Sequence, residues 1–405
     1  MDKLIARPTY IDWLLGFRGK PLIKVLTGMR RVGKSTVLEL YVRQLRKMGI
    51  RASDIVQLNF EELENAEFKD KERLHAFILS KLRPGKTLYV FLDEIQRVPG
   101  FEEVLDSLFV KKGIDLYVTG STARFLSSEI ATVLTGRYVE INVLPLSFVE
   151  YRSAFPDQTD ERKLLRDYLV YGALPESLAF PAGSPRQREY IQSVFKTILE
   201  RDVLTRNAAG GRLVVSHILR YMMDAIGNLT SPKRMTDRIN ADMKVASYTT
   251  ISSYLDILED CFFLYRPERF DVVGGNLLKL IHKYYLCDLG FRHYLTESVD
   301  VELQQLLENA VYLELRSRRY EVMTGKAEQR EVDFVVRDEK GQRKYIQVAV
   351  TVSSSEKLAQ ELAPLSVIPD NYPRYVITLD DYFLPDQKGV HIINALDFML
   401  RRESV

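Results

Sequence analysis

Two glycines, a lysine and a serine set the first piece of chemistry. Gly28, Gly33, Lys34 and Ser35 stand at the spacing G-x-x-x-x-G-K-[ST] within LIKVLTGMRRVGKST, residues 22–36. Such a run lets the backbone curl so that the N–H groups of Gly28, Met29, Arg30, Arg31, Val32, Gly33, Lys34, Ser35 and Thr36 can face an oligophosphate. Lys34 adds a compact positive charge and Ser35 offers a hydroxyl to Mg²⁺. A strand-like run, Ile23 to Leu26, comes before, and a helix beginning near Lys34 comes after, with its positive dipole end toward the anion. The expectation is a site for ATP with Mg²⁺.

A second group follows the apolar run TLYVFL, residues 87–92, which ends in Asp93 and Glu94. Ligands of parallel sheets bind at the carboxyl ends of strands, where this acidic pair falls. Asp93 is expected to hold Mg²⁺ through its water shell, and Glu94 to position and polarise the water that attacks the γ-phosphate. An acidic helix cap is the structural alternative for one of the two carboxylates. The next apolar run, IDLYVT (residues 114–119), leads into Gly120-Ser121-Thr122. Ser121 is the candidate to sense the γ-phosphate or the lytic water, against a plain turn. Arg137, just before another strand, is the candidate finger for the γ-phosphate of its own or a neighbouring subunit, against structural ion pairing.

These groups need a scaffold, and the chain supplies an alternation of strand and helix. Residues 36–48 read as an amphipathic helix stopped by Gly49, 55–60 as a strand, 67–82 as a helix, 87–92 as a strand, 101–111 as a helix and 114–119 as a strand. Fully apolar strands of this kind suit a parallel sheet covered on both faces. Residues 7–17 read as a lead-in helix packed beside the nucleotide pocket. From Pro145 the composition changes, and turn-rich breaks at Pro156-Asp157 and residues 181–185 place a first boundary near residue 155.

The segments TGMRRVGKST, VFLDEIQRV, YVTGSTARFL and LTGRYVEINVLPLSFVEY occur in this order, followed by YLVYGALPE and ILERDV. In these the chain resembles a prokaryotic branch of the AAA+ ATPases that carries a C-terminal domain of unknown function. The resemblance implies an AAA+ P-loop core over residues 1–155, with Lys34, Ser35, Asp93 and Glu94 at the ATPase positions, joined to a winged helix. Residues 156–295 fit that second part. A helix near 232–240, a second at 248–260 and strand-like runs at 262–270 and 279–287 follow the winged helix-turn-helix order.

Residues 296–405 read as helix, three strands, helix and strand, and resemble the PD-(D/E)xK nuclease core. Such sites use acidic side chains to hold Mg²⁺ and a lysine to steady water. Asp333 fits the first carboxylate and Glu308 the helix carboxylate. On the third strand, however, Gln347 stands where an acid belongs and Ala349 where the lysine belongs. A neutral amide is a poor ligand for a hard cation. The expectation is an α/β chain in three parts, an ATPase switch with a catalytically silent nuclease-like domain, against the alternatives of an ATP-regulated endonuclease and a nucleotide-gated protein-interaction scaffold with little turnover.

Composition narrows the partners. The 405 residues carry a net charge of +2, so no global field draws the chain to nucleic acid. A local basic patch, Lys233, Arg234, Arg238 and Lys244, points toward DNA, whereas Asp256, Glu259 and Asp260 on the second helix point toward packing on protein. Both stay open, as does a homo-oligomer. No stretch approaches the roughly 18 apolar residues of a membrane span and the N-terminus lacks a secretory signal, so a cytoplasmic setting is expected. Cys261 and Cys287, each in an apolar segment without metal-ligand spacing, are expected to be buried thiols.

Overall fold

The computed structural model describes residues 4–120, 136–206, 211–243, 247–296, 303–381 and 386–405. The chain forms two compact units, Met1–Leu144 with Asp260–Phe262, and Pro145–Glu259 with Phe263–Val405.

In the first unit, helix α1 (Pro8–Gly16) precedes strand β1 (Ile23–Thr27) and helix α2 (Lys34–Lys47). Then come β2 (Ile55–Asn59), α3 (Lys71–Lys81), β3 (Leu88–Asp93), α4 (Phe101–Phe109), β4 (Ile114–Thr119) and β5 (Tyr138–Asn142). The strands make one sheet in the order β2-β3-β4-β1-β5, and every pairing is parallel. Every residue of β1 and β3 is buried, as a sheet covered on both faces requires. Val25, Val90, Leu92 and Val118 from three adjacent strands pack with Leu105 and Leu108 of α4 in one apolar cluster.

One charged residue interrupts β1. Lys24 is fully buried; its ammonium meets Asp115 Oδ1 of β4 at 2.5 Å and lies 5.2 Å from the Tyr117 ring centroid. The Tyr117 hydroxyl donates to Asp115 Oδ2 at 3.0 Å, as does the Gly19 N–H at 2.9 Å. A buried ion pair survives only when its remaining valences are met in this way.

The second unit begins with helices α5 (Phe148–Ser153), α6 (Glu161–Tyr171), α7 (Pro185–Ile198), α8 (Gly211–Asp224), α9 (Pro232–Met243) and α10 (Tyr248–Asp260). A single π-helical turn, Leu199–Val203, extends α7. After α10 come short strands β6 (Leu264–Tyr265), β7 (Arg269–Asp271), β8 (Asn276–Leu278) and β9 (Tyr285–Leu286), then α11 (Gly290–Leu295) and α12 (Leu303–Ser317). The chain closes with β10 (Glu321–Ala327), β11 (Arg330–Arg337), β12 (Arg343–Ala349), α13 (Ser355–Ser366), β13 (Arg374–Thr378), β14 (Val390–Asn394) and α14 (Ala395–Met399).

The strands after α10 differ from the expected pair of long runs. β6 pairs only with β9, and the β7–β8 hairpin between them joins the C-terminal sheet, whose order is β14-β13-β12-β11-β10-β7-β8. β7 runs parallel to β10, with Thr324 opposite Arg269. The expected boundary near residue 295 therefore runs through a continuous sheet. A strand edge left by one segment is paired by another, which satisfies backbone donors and acceptors that would otherwise stand open.

Among the described residues no helix is long and apolar enough to cross a membrane. Cys261 and Cys287 are buried and form no disulfide.

Candidate functional site

The phosphate loop leaves β1 at the carboxyl edge of the first sheet. Gly28 has φ 137°, and a Cβ there would stand 2.3 Å from the Val143 carbonyl oxygen; only glycine fits so close to the backbone that leaves β5. Gly33 (φ 94°) and Arg31 (φ 70°) also take left-handed conformations, which curl the loop into the start of α2. Met29 and Val32 are buried and anchor the loop from beneath, while Arg31 and Ser35 are exposed. The Lys34 ammonium folds back into the loop, donating to the carbonyls of Gly28 at 2.9 Å and Met29 at 3.2 Å. Its charge is thereby held inside the curl, where the positive end of a 14-residue helix adds to it.

The lead-in helix braces this loop. Arg7, almost fully buried, donates to the Val32 carbonyl at 3.1 Å and the Leu144 carbonyl at 2.7 Å. The Leu144 N–H donates in turn to the Tyr10 hydroxyl at 2.9 Å.

Next to the loop, strand register lines up the acidic pair. Leu26 stands opposite Thr119, Leu92 opposite Val118, and Asn59 opposite Asp93. Asp93 and Glu94 are 6% and 8% exposed, and Thr119 is fully buried. The Thr119 hydroxyl donates to Asp93 Oδ1 at 2.5 Å and accepts from the Glu94 N–H at 2.8 Å. Glu94 sits at φ 55°, a costly conformation for a non-glycine residue. Its side chain makes no cap for the short helical turn that follows; instead Glu94 Oε2 accepts from Gln96 Nε2 at 2.6 Å. The structural alternative, a plain acidic cap, is therefore not what Glu94 does. Two carboxylates at the sheet edge and a serine hydroxyl at the first turn of α2 are the hard-oxygen donor set that suits Mg²⁺, fitting Ser35 and Asp93 as the residues to hold it.

Other expected residues fare differently. Ser121 lies outside the described residues, as does Lys244. Arg137 is not brought to the loop. It precedes β5, its carbonyl accepts from the Ile23 N–H at 2.8 Å, and β5 runs parallel to β1 with Ile23 opposite Tyr138. Arg137 thus lies at the amino edge, a five-residue strand (roughly 17 Å) from the phosphate loop. There it pairs with Asp106 and lies 5.5 Å from the Phe109 ring centroid. As a finger for its own chain the expectation is corrected: the guanidinium ties β5 to α4.

In the second unit Glu308, Asp333 and Gln347, the residues expected of a nuclease-like site, lie near one another. Glu308 on α12, Asp333 on β11 and Gln347 on β12 are all buried. Gln347 Oε1 accepts from the Asp333 N–H at 2.8 Å, and its Nε2 donates to Glu361 at 3.1 Å, so the amide spends itself on the protein. Asp333 Oδ2 accepts from the Val348 N–H at 2.9 Å. A lysine that spacing did not single out, Lys283, enters just before β9 and donates to Glu308 Oε1 at 2.7 Å and Asp333 Oδ1 at 3.1 Å. It also pairs with Glu331. Among the described residues no three His, Cys, Asp or Glu side chains are arranged to hold a metal ion.

Two residues were missed, Thr119 and Lys283. Each had a faint signal: Thr119 is the one hydroxyl ending an apolar strand beside the acidic pair, and Lys283 is a lone charge opening the apolar run Tyr284 to Cys287.

Comparison with known proteins bears on the whole chain. Residues 20–152 match the AAA domain family, and residues 162–302 match a domain of unknown function, DUF8612. An uncharacterized protein of Haemophilus influenzae is 32% identical over 98% of this chain and 99% of its own length. One of Methanocaldococcus jannaschii is 26% identical over 89% of this chain and 82% of its own. A Walker-type ATPase of Pyrococcus abyssi is similar over 72% of this chain and 96% of its own, with 16% identity and a TM-score of 0.49.

Proposed function

Because the chain belongs to a family of AAA-domain P-loop ATPases, we propose that it is a Mg²⁺-dependent ATP hydrolase working as a switch. In this reading residues 28–36 bind ATP, Ser35 and Asp93 hold the metal, and Glu94 orients and polarises the attacking water. Mg²⁺, when bound, neutralises charge on the β- and γ-phosphate oxygens. The observation that carries the reading is the Thr119 hydroxyl, which ties Asp93 to the Glu94 backbone at 2.5 and 2.8 Å beside the phosphate loop. Ser121 is assigned to sensing the γ-phosphate, and Arg137 to an ion pair within the fold.

The nucleotide state is read by the rest of the chain: a helical, winged-helix-like region over 156–295 and a nuclease-shaped, silent module over 296–405, in a cytoplasmic protein able to self-associate. Arg30 and Arg31, which the phosphate cradle does not need, carry that report. Turnover of ATP by wild type, lost in Lys34→Ala and in Glu94→Gln while Glu94→Gln still binds ATP, tests the assignment. Binding without turnover in wild type would instead make the protein a nucleotide-gated scaffold.

DNA is favoured as the target by one feature. Lys233, Arg234 and Arg238 are exposed on α9, and residues 247–249 at the start of α10 are exposed as well. The acids of α10 that argued against this are partly neutralised, since Arg266 Nε lies 3.1 Å from Glu259 and a second nitrogen 3.7 Å from Asp256. ATPase stimulation by duplex DNA that falls with added salt is the expected outcome; equal rates with and without DNA, at two salt concentrations, would assign the target to protein.

A further inference from the structure

The buried cluster on α12 and β11 contains a cation of its own. Three carboxylates, Glu308, Glu331 and Asp333, converge on the Lys283 ammonium. The Lys283 side chain is 3% exposed, and those of Glu308 and Asp333 are 7% and 11% exposed. The Tyr285 hydroxyl adds a bond to Glu308 Oε1 at 2.7 Å. Burial works against the lysine's charge, but Glu308, Asp333 and Glu331 outweigh it and raise its pKa well above the ordinary value.

The segment carrying Lys283 is fastened on both sides. His282 and Thr230 exchange backbone bonds at 2.8 and 2.9 Å. Asn309 of α12 accepts from the Leu286 N–H at 2.8 Å and donates to its carbonyl at 3.0 Å. Lysine entry is thus fixed by backbone pairing and not by side-chain choice alone.

We propose that Lys283 is a resident cation: its ammonium balances Glu308, Asp333 and Glu331, which with it in place are not arranged to hold a divalent metal, and so keeps the nuclease-shaped module closed to metal. A Mg²⁺ ion needs carboxylate oxygens at about 2.0–2.1 Å. The lysine nitrogen already stands 2.7 Å from Glu308 Oε1 and 3.1 Å from Asp333 Oδ1. A metal on the same oxygens would lie against a like charge in a buried setting, so the two cations exclude each other. Gln347 adds nothing to a metal shell, because its oxygen is taken by a backbone N–H of β11. The same contact holds the strand before β9 to the C-terminal sheet. This inference rests on the reading of residues 296–405 as a silent nuclease-shaped module and is independent of ATP hydrolysis.

The test uses the full chain without nucleotide, with Mn²⁺ as the probe. Titration calorimetry is expected to give identical Mn²⁺ responses for wild type and Asp333→Asn. Lys283→Met is expected to melt below wild type and to bind Mn²⁺ at least tenfold more tightly, a gain lost in Lys283→Met/Asp333→Asn. Should Lys283→Met alone not fold, Lys283→Gln, which removes the charge but keeps a hydrogen-bond donor for the three carboxylates, carries the same test. No gain in Asp333-dependent Mn²⁺ binding, or Mn²⁺ bound by wild type through Asp333, overturns the proposal. Metal-dependent cleavage of plasmid DNA by wild type that vanishes in Lys283→Met would overturn the silent-module reading as well.

Discussion

Replacing Thr119 by valine keeps the side chain's shape and removes only its hydroxyl. The consequence can be worked from the two bonds it makes. Asp93 loses its donor at 2.5 Å, and the Glu94 N–H, 2.8 Å from the hydroxyl, is left without that acceptor in a buried setting. A buried polar group stripped of its partner costs about 1–3 kcal/mol, so the pair comes to about 2–6 kcal/mol. For a unit of this size that corresponds to a fall in melting temperature of roughly 4–24 °C. Glu94 is held at φ 55°, and without the hydroxyl its backbone N–H loses its anchor, leaving the Gln96 amide as the contact that aims its carboxylate. A catalytic group misplaced by about 1 Å can cost about a hundredfold in rate. ATP binding, which depends on the loop from Gly28 to Thr36, is expected to stay within a few-fold of wild type. Steady-state hydrolysis and equilibrium binding of a fluorescent ATP analogue separate the two effects. Thr119→Ser, which keeps the hydroxyl, is expected to retain most of the rate. If Thr119→Val turns over ATP at the wild-type rate, or Thr119→Ser fails as badly, the hydroxyl does not organise the acidic pair.

Other consequences are equally specific. Gly28→Ala forces a Cβ to 2.3 Å from the Val143 carbonyl oxygen and is expected to abolish ATP binding while the C-terminal unit stays folded, read by nucleotide titration and limited proteolysis. Lys24→Met leaves Asp115 buried without its 2.5 Å partner and is expected to cost about 3–5 kcal/mol, measured by denaturant unfolding; wild-type stability would show that the pair is dispensable. Burial pushes the Asp288 carboxyl up to about 6, against backbone N–H bonds from Ala173, Gly290 and Leu174 that favour its anion. A folded-state value above the unfolded one stabilises most below the unfolded pKa, so this contribution is full below pH ~4 and is lost as pH rises through ~6, a change of about 3 kcal/mol. The stability of wild type relative to Asp288→Asn, which stays neutral, should fall by about 3 kcal/mol from pH 4 to 7; parallel curves would refute the assignment. Arg137→Ala removes the tie to Asp106 and is expected to change stability by under about 1 kcal/mol, since the pair is partly exposed, with ATP turnover unaltered; a large loss of turnover would return Arg137 to the active site.

Much of this molecule was readable along the chain because its chemistry is local. The phosphate loop needs consecutive N–H groups, so its residues are neighbours in sequence, and the strand–helix alternation that positions it follows from side-chain periodicity over a few residues. The same holds for the helix, three strands, helix and strand expected within 296–405, which form in that order over 303–378. Thr119 and Lys283 were not readable, because their roles are contacts across 25, 26 and 50 residues. Nor could periodicity show that Arg137 faces the wrong edge. That depends on β5 lying parallel to β1, a pairing between distant segments.

The sequence by itself therefore determined which oxygens and amides can meet a phosphate, since backbone curvature and the adjoining helix dipole are local properties. Tertiary structure alone decided what those groups are coupled to: a threonine hydroxyl between the Asp93 carboxylate and the Glu94 backbone N–H, and a lysine ammonium among three carboxylates. Coulomb and hydrogen-bond energies depend on distance in space. Pairing of distant strands and helices sets that distance, and no spacing along the chain encodes it.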